Sequence, residues 1–353
     1  MGITVGVIGC GNITKFHFDG LDRAGARVAW ICDLNEEAAR PWVERFGARF
    51  TADYREILRD DAVDAAWIMA ISGVHKEMCL AAMEAGKAVV CEKTLATNPA
   101  DAADIVRAAE AKQAILYTAY MKRFMPAVEK AKELLPQIGQ PIGAWIRSYQ
   151  PWGRMWVEPP SEGFGHTPKD GPSEIVKRYG GGILVCGGSH TLDLTHHFCG
   201  RPTRVFASMF TPPASDFDLQ AAALFETPFG PVHYEACAHP LGRIGFQRDG
   251  WDERLELNGV DGRIDVLVSK WDNVDDKTGV CIHYDNRSGT STEYRFPVES
   301  AFNREVAHFC AQIERGEQGP QARDTGYVVD ELIARVTESA KTGRAVDITY
   351  RLP

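Results

Sequence analysis

The chain begins with a short β-rich run, Thr4–Ile8, and breaks at once into a glycine turn, Gly9-Cys10-Gly11-Asn12-Ile13-Thr14. Gly9 permits a tight turn off a strand. Gly11 lets the backbone approach a pyrophosphate, which would sit on the N-terminus of the following helix. The third glycine of this pattern is absent, and Thr14 stands in its place. A lone Gly-x-Gly says little, but here a strand precedes it, a helical stretch follows, and Asp33 ends the second β-rich run. A carboxylate at that point accepts hydrogen bonds from ribose hydroxyls and repels a 2′-phosphate. Leu34 and Asn35 follow, with no arginine beside Asp33. The expected cofactor is NAD, with NADP disfavoured.

The next hundred residues repeat the same alternation. β-rich runs stand at Thr4–Ile8, Arg27–Cys32, Ala65–Ile71, Lys87–Cys91 and Ala114–Thr118. Helical patterns separate them at Asn12–Ala24, Asn35–Phe46, Tyr54–Arg59, His75–Ala85 and Pro99–Lys112. Such alternation calls for an α/β Rossmann domain, a parallel sheet with helices on both faces.

Beyond one more helix, Pro126–Leu135, the pattern changes. Strands follow one another at Ile142–Tyr149, Arg204–Phe210, Gln220–Glu226, Gly230–Ala236, Arg254–Asn258, Gly262–Val268, Val280–Tyr284 and Thr292–Phe296. Turn-connected strands indicate a large, mostly antiparallel open sheet in an α+β domain. Two amphipathic helices close the chain, Ala301–Arg315 and Asp324–Thr342. The stretch from Pro151 to Gly182 is rich in Pro, Gly and Trp without clear periodicity, as functional loops often are. The expected division is residues 1–122 for dinucleotide binding and 123–353 for substrate binding and oligomerisation.

Length and charge bound the partners. A chain of 353 residues suits two domains. Its net charge of −9 argues against nucleic acid and anionic membrane as partners. No apolar run has the length of a transmembrane helix, and the N-terminus reads as a first strand rather than a signal peptide. Nine cysteines without a Cys-x-x-Cys pair fit reduced thiols in a cytoplasmic protein.

Two segments carry polar groups suited to chemistry. In Cys91-Glu92-Lys93-Thr94, Lys93 directly follows an apolar strand and is expected at the carboxyl edge of the sheet, where ligands of α/β domains bind. In Gly180 to Asp193, glycine-rich backbone leads into a short helix. Ser189 is the expected N-cap, which puts His190 in the first turn, where the helix dipole favours the neutral imidazole that a general base requires. A surface lysine and a packed histidine are the plain alternatives. His190, Asp193 and His197 share a helical face, but no metal is expected there.

These motifs together resemble the glucose–fructose oxidoreductase / inositol dehydrogenase / MocA family over essentially the whole chain. The resemblance rests on Gly9 to Ile13, Ile71 to His75, Ala85-Gly86-Lys87 with Glu92-Lys93, Met121 to Phe124, and Gly181 to Asp193. It implies hydride transfer between a nicotinamide and a secondary alcohol or ketone of a sugar or cyclitol. Lys93, His190 and Asp193 are then the expected catalytic residues. Gly9, Gly11, Asn12, Ile13, Asp33, Ile71, Ser72, His75, Glu92 and Lys93 are expected around the dinucleotide. Lys122, Tyr149, Trp152, Cys186, His190 and Trp251 are expected around the substrate. A homodimer or homotetramer built on the open sheet face is also implied.

Two departures stand out. Thr94 replaces the proline usual after the lysine, which should alter the turn. Cys186 stands where the family usually has an aspartate, four residues before the histidine. A thiol hydrogen-bonds weakly and cannot support an imidazole as a carboxylate does. Two rival readings therefore stay open: glycoside cleavage through a transient keto-sugar, and a non-catalytic NAD-binding regulator.

Overall fold

The computed structural model describes residues 2–158, 171–173, 176, 180–272 and 278–352. The chain divides into two compact units.

The first unit is built on a six-stranded sheet of β1 (Thr4–Ile8), β2 (Arg27–Cys32), β3 (Arg49–Thr51), β4 (Ala65–Ile68), β5 (Ala88–Cys91) and β6 (Leu116–Thr118). Every pairing is parallel, in the order β3-β2-β1-β4-β5-β6. The chain winds outward from β1 in one direction, then returns to its other side at β4. That reversal is the switch point at which doubly wound sheets bind ligands. The run Ala65-Ala66-Trp67-Ile68 is buried at every position, as a parallel strand covered on both faces must be. Helices α1 (Thr14–Arg23), α2 (Glu36–Phe46), α3 (Tyr54–Arg59), α4 (His75–Glu84) and α5 (Pro99–Lys112) supply the cover. Their ends follow from local chemistry. The Asn35 side chain caps α2 by accepting the Glu37 N–H at 3.1 Å, and Gly47, at φ 60°, ends it.

The break between the units falls at Met121/Lys122, one residue from the expected 122/123, but the C-terminal part of the chain is divided differently. The first unit also takes in Phe302–Asp330, Arg351 and Leu352. The apolar face of α8 (Ala301–Arg315) is the reason: Phe302 stacks on Phe16 at 4.9 Å and Phe309 on Tyr117 at 4.3 Å. Gly20 lets that helix close in, since a Cβ there would lie 2.8 Å from Val306.

The second unit holds a nine-stranded sheet among the described residues. Its strands are β7 (Pro141–Gln150), β8 (Arg204–Phe210), β9 (Gln220–Thr227), β10 (Gly230–Ala238), β11 (Asp252–Gly259), β12 (Gly262–Val268), β13 (Val280–Asp285), β14 (Thr290–Arg295) and β15 (Val346–Asp347). The order is β14-β13-β12-β11-β7-β10-β9-β8-β15. Only the β7–β10 pair is parallel; the others are antiparallel. One face is covered: Ala144, Ile146, Ser148 and Gln150 of β7 are buried, as are Val232, Tyr234 and Ala236 of β10. The intervening residues face the open side. Strand register lines up Phe206, Leu224, His233 and Trp145 as one row across four strands there, with Trp145 stacked on His233 at 4.2 Å.

This unit also contains the helices α6 (Pro126–Leu134) and α7 (Ser189–Cys199). Helix α7 does not start at Ser189. Helical backbone begins at Ile183 and passes through a π-helical turn, Leu184–Gly188, straight into α7. Ser189 has αR geometry and is no N-cap. The cap comes from elsewhere in the sequence: the Asp218 carboxylate accepts the Leu184 N–H at 2.8 Å. The last helix, α9 (Thr325–Thr342), spans the boundary between the two units' residues. Much of the Pro-, Gly- and Trp-rich stretch, residues 159–170, 174, 175 and 177–179, lies outside the described residues.

Candidate functional site

In the first unit the glycine turn does what its sequence requires. Gly9 has φ 103°, and a Cβ on it would stand 2.7 Å from the Met69 carbonyl oxygen, so only glycine fits. Gly11 is different: a Cβ there would meet no protein atom. The protein itself does not forbid a side chain at 11, but a pyrophosphate drawn close to the backbone would. Asp33 ends β2, with Oδ2 accepting the Cys10 N–H and Oδ1 the Asn35 N–H, both at 2.7 Å. Those two bonds fix the carboxylate beside the turn. Two apolar side chains that follow strands of this sheet stand open to solvent, Leu34 after β2 at 93% and Ile71 after β4 at 56% exposure. Exposed apolar groups at the carboxyl edge of such a sheet suit the flat faces of an adenine. These features fit a bound NAD. Sequence reasoning missed Leu34, whose signal was an apolar residue directly after the acidic strand end.

Lys93 is held on a turn pinned from several elements of this unit. From Val89 to Ala96 it is the one residue not buried. Glu92 accepts the Lys93 N–H through Oε2 at 2.9 Å, and its Oε1 lies 3.0 Å from His17 Nε2 of α1. Burial pushes the Glu92 carboxyl upward, but His17 and Lys93 outweigh it and hold it below the usual range. Asp330 of α9 accepts the Ala96 N–H at 2.8 Å. His75 lies 2.9 Å from both the Thr94 and Ala70 carbonyl oxygens. Burial, the largest influence, pulls His75 below the usual histidine range. The Lys93–Thr94 peptide is cis. His75 and Glu92 were expected to touch the dinucleotide. Both side chains are instead buried and engaged with the protein, where they fix the Lys93 turn.

In the second unit, Val185, Cys186 and His190 are the only residues from Gly182 to Thr195 that are not buried. The thiol of the π turn and the imidazole of α7 are thus the polar side chains of this segment that remain accessible, and π-bulges often stand at functional sites. His190 sits beyond the first helical turn, so the expected dipole effect does not apply to it.

Four substrate and catalytic expectations change here. Asp193 is fully buried, and Arg123 holds both of its oxygens, so it cannot touch a ligand. Lys122 is equally buried, with Nζ 2.6 and 2.5 Å from the two oxygens of Glu253. Ser148 and Gln150 complete this network: Ser148 Oγ donates to Glu253, and Gln150 Nε2 reaches Ser148 Oγ at 2.9 Å. Trp251 is 1% exposed, beneath the Lys122 ammonium, whereas its neighbour Trp152 is 45% exposed. Tyr149 faces the open side of the sheet over Arg147; strand alternation gives the covered face to Gln150 instead.

No group of His, Cys, Asp and Glu among the described residues could hold a metal. No described helix is long and apolar enough to cross a membrane.

The two folds define a Rossmann dinucleotide-binding unit joined in one chain to a large open-sheet unit. Comparison with known proteins gives this class a family. Residues 3–120 match the oxidoreductase family with an NAD-binding Rossmann fold, and residues 128–265 match the GFO/IDH/MocA C-terminal domain. The chain belongs to the Gfo/Idh/MocA family of oxidoreductases. Myo-inositol 2-dehydrogenase of Thermotoga maritima is 26% identical over 98% of both chains. D-xylose 1-dehydrogenase (NADP(+)) 2 of Haloferax volcanii is 25% identical over 97% of this chain and 99% of its own. Among solved structures, levoglucosan dehydrogenase in complex with NADH and levoglucosan shares the fold at TM-score 0.80 and 20% identity, covering 99% of this chain and 100% of its own.

Proposed function

We propose that the chain is an NAD-dependent dehydrogenase or reductase acting on a secondary alcohol, or the matching ketone, of a sugar or cyclitol. The observation that carries this reading is Lys93. It alone breaks the surface of a buried turn, at the carboxyl edge of the parallel sheet that also bears the glycine turn. The named activities of the myo-inositol and D-xylose dehydrogenases support it.

Gly9, Gly11, Asn12, Ile13, Asp33, Leu34, Ile71 and Ser72 would hold the dinucleotide. Bound NAD would supply the hydride acceptor. Lys93 binds the reacting oxygen, and its ammonium stabilises negative charge that develops there as the hydroxyl proton leaves. His190 takes that proton or returns it. Cys186 stands four residues before His190, where the family usually has an aspartate, and a thiol hydrogen-bonds an imidazole more weakly than a carboxylate does. The exposed face of Trp152 suits the C–H surface of a ring.

Incubation with NAD and a panel of inositols, pentoses, hexoses and glycosides tests this. Net NADH formation with a sugar or cyclitol is the expected result. Product formed without net NADH would point instead to glycoside cleavage through a transient keto-sugar. NAD binding with no turnover anywhere would leave a regulator.

We further propose a homodimer or homotetramer that joins on the open sheet face, supported by the exposed row of Phe206, Leu224, His233 and Trp145. A cytoplasmic location is supported by nine cysteines, all free thiols.

A further inference from the structure

The first unit contains a buried chain of hydrogen bonds that ends at Lys93. Trp67 of β4 donates its indole N–H to His17 Nδ1 at 3.2 Å. An indole N–H is a donor only, so His17 Nδ1 is the acceptor and the ring proton sits on Nε2. That N–H therefore donates to Glu92 Oε1, 3.0 Å away. The other Glu92 oxygen accepts the backbone N–H of Lys93 at 2.9 Å. Trp67 and His17 are completely buried, and Glu92 nearly so. Neither Trp67 nor His17 reaches solvent, so neither can touch a ligand.

We propose that Trp67 and His17 are positioning residues for Lys93: together they fix the Glu92 carboxyl group, which in turn fixes the Lys93 backbone. This rests on the reading of Lys93 as the residue that binds the reacting oxygen. The logic is directional. The indole selects the tautomer; the tautomer puts a donor, not an acceptor, against the carboxyl group. The opposite tautomer would set the lone pair of Nε2 against a carboxylate oxygen and push the Glu92 side chain off the turn. A shift of Lys93 by about 1 Å is enough to spoil a near-attack geometry.

The charged and titratable groups around Glu92 come from three elements. His17 faces it from α1, His75 from α4, and Lys93 and Cys91 flank it in sequence. Removing the His17 N–H takes away one of the interactions that hold the Glu92 carboxyl below the usual range, so protonation of Glu92 becomes easier.

Two measurements test the proposal. Long-range nitrogen–proton NMR on the uniformly labelled full chain, assigned with the His17→Gln variant, reads the tautomer directly. A proton on Nε2 is expected, and a proton on Nδ1 would overturn the relay without any reference to activity. Kinetics on His17→Met and His17→Gln then read its consequence. Gln keeps an N–H near the position of Nε2; Met fills the space without one. His17→Met should lose about tenfold in kcat, the scale of one hydrogen bond to a charged group. Its NADH affinity should stay within about twofold, since the dinucleotide turn is untouched. The acid limb of its kcat profile should move to higher pH, and His17→Gln should restore both. Equal loss in the two variants, or an unmoved acid limb in His17→Met, overturns the proposal. If His17→Met does not fold, Trp67→Phe carries the same prediction for the acid limb. Absence of turnover by the wild-type chain on every substrate would instead sink the catalytic reading of Lys93, while the tautomer measurement still decides the relay.

Discussion

Arg123 grips Asp193 with two parallel hydrogen bonds, Nε to Oδ2 at 2.8 Å and Nη2 to Oδ1 at 2.6 Å. The pair fastens the segment beside Lys122 to the helix that carries His190. Arg123→Met would leave a fully buried carboxylate without its partner. Breaking such a pair from one side costs about 3–5 kcal/mol. Without the guanidinium, burial drives the Asp193 carboxyl further above its usual range. A group with a raised native pKa contributes stability at low pH and loses it as pH rises through that value. The variant should therefore melt well below wild type at pH 8, with a smaller deficit near pH 5. Folded enzyme should keep kcat within a few fold, because Asp193 touches no substrate. A large fall in kcat with an unchanged melting curve would return Asp193 to the chemistry.

Lys93→Ala removes the one accessible group of its turn. The backbone bonds from Glu92, and those at Thr94 and Ala96, do not depend on the amine. The fold and dinucleotide affinity should survive. Turnover should fall roughly 10²–10³-fold, the scale of losing one preorganised charge at the reacting oxygen. Stopped turnover with normal NADH fluorescence titration checks this; near-wild-type rates would remove Lys93 from the mechanism.

The parts of this molecule differ in how clearly the sequence announces them. Buried parallel strands such as Ala65–Ile68 are unbroken apolar runs, so the strand–helix alternation of the first unit is plain from residue pattern, while the order of strands in the sheet is not. Strands as short as Arg49–Thr51 and Val346–Asp347 carry too few residues to show a period. The π turn before His190 has no sequence period of its own, so a glycine-rich loop and a serine cap look equally natural there. Tyr149 and Gln150 differ only by strand parity, and the pairing register of β7 decides which of them reaches the covered face. Asp193 looks catalytic when judged by its spacing from His190. Its actual partner lies 70 residues away, a distance over which single-sequence patterns are silent. The His17–Glu92 contact, across 75 residues, is hidden for the same reason.

Asp33 also bonds two backbone N–H groups, so its loss should act in two ways. Asp33→Ala removes the acceptor for ribose hydroxyls and loosens the turn at Cys10. The KM for NAD should rise about tenfold or more, as expected for hydrogen bonds to a charged group. The KM for NADP should rise less, because the repulsion of a 2′-phosphate goes too. Parallel titrations with both dinucleotides measure the ratio, and equal weakening would mean that the carboxylate does not read the ribose.

The row of Phe206, Leu224, His233 and Trp145 exposes apolar and aromatic surface on four neighbouring strands. A self-complementary patch of this kind is what a two-fold interface uses. Leu224→Arg places a charge in the middle of the row without touching the buried face. Light scattering should show wild type as a dimer or tetramer and the variant shifted to monomer. A monomeric wild type would exclude the interface.

Asp218 sets two influences against each other, and the outcome fixes a pH signature. Its carboxylate caps the helical backbone at Leu184 and is approached by the Gly182 N–H, both of which favour the charged form. Gly182 makes this possible, since a Cβ there would lie 2.1 Å from the Asp218 carbonyl oxygen. Burial opposes these bonds and wins, so the carboxyl is pushed up from 3.8 to about 6. Between those values the native state binds the proton that the unfolded chain releases. Stability from this group is full below 3.8 and falls as pH rises through about 6. The slope is about 1.4 kcal/mol per pH unit while the difference lasts. Other groups slope the opposite way: burial, the largest influence, pulls His197 down to about 2. The clean quantity is therefore the difference between wild type and Asp218→Asn, which cannot titrate. The melting temperature of wild type minus that of Asp218→Asn should decrease steadily from pH 4 to pH 7. A difference that grows with pH would mean that the helix end, and not burial, governs this carboxyl group.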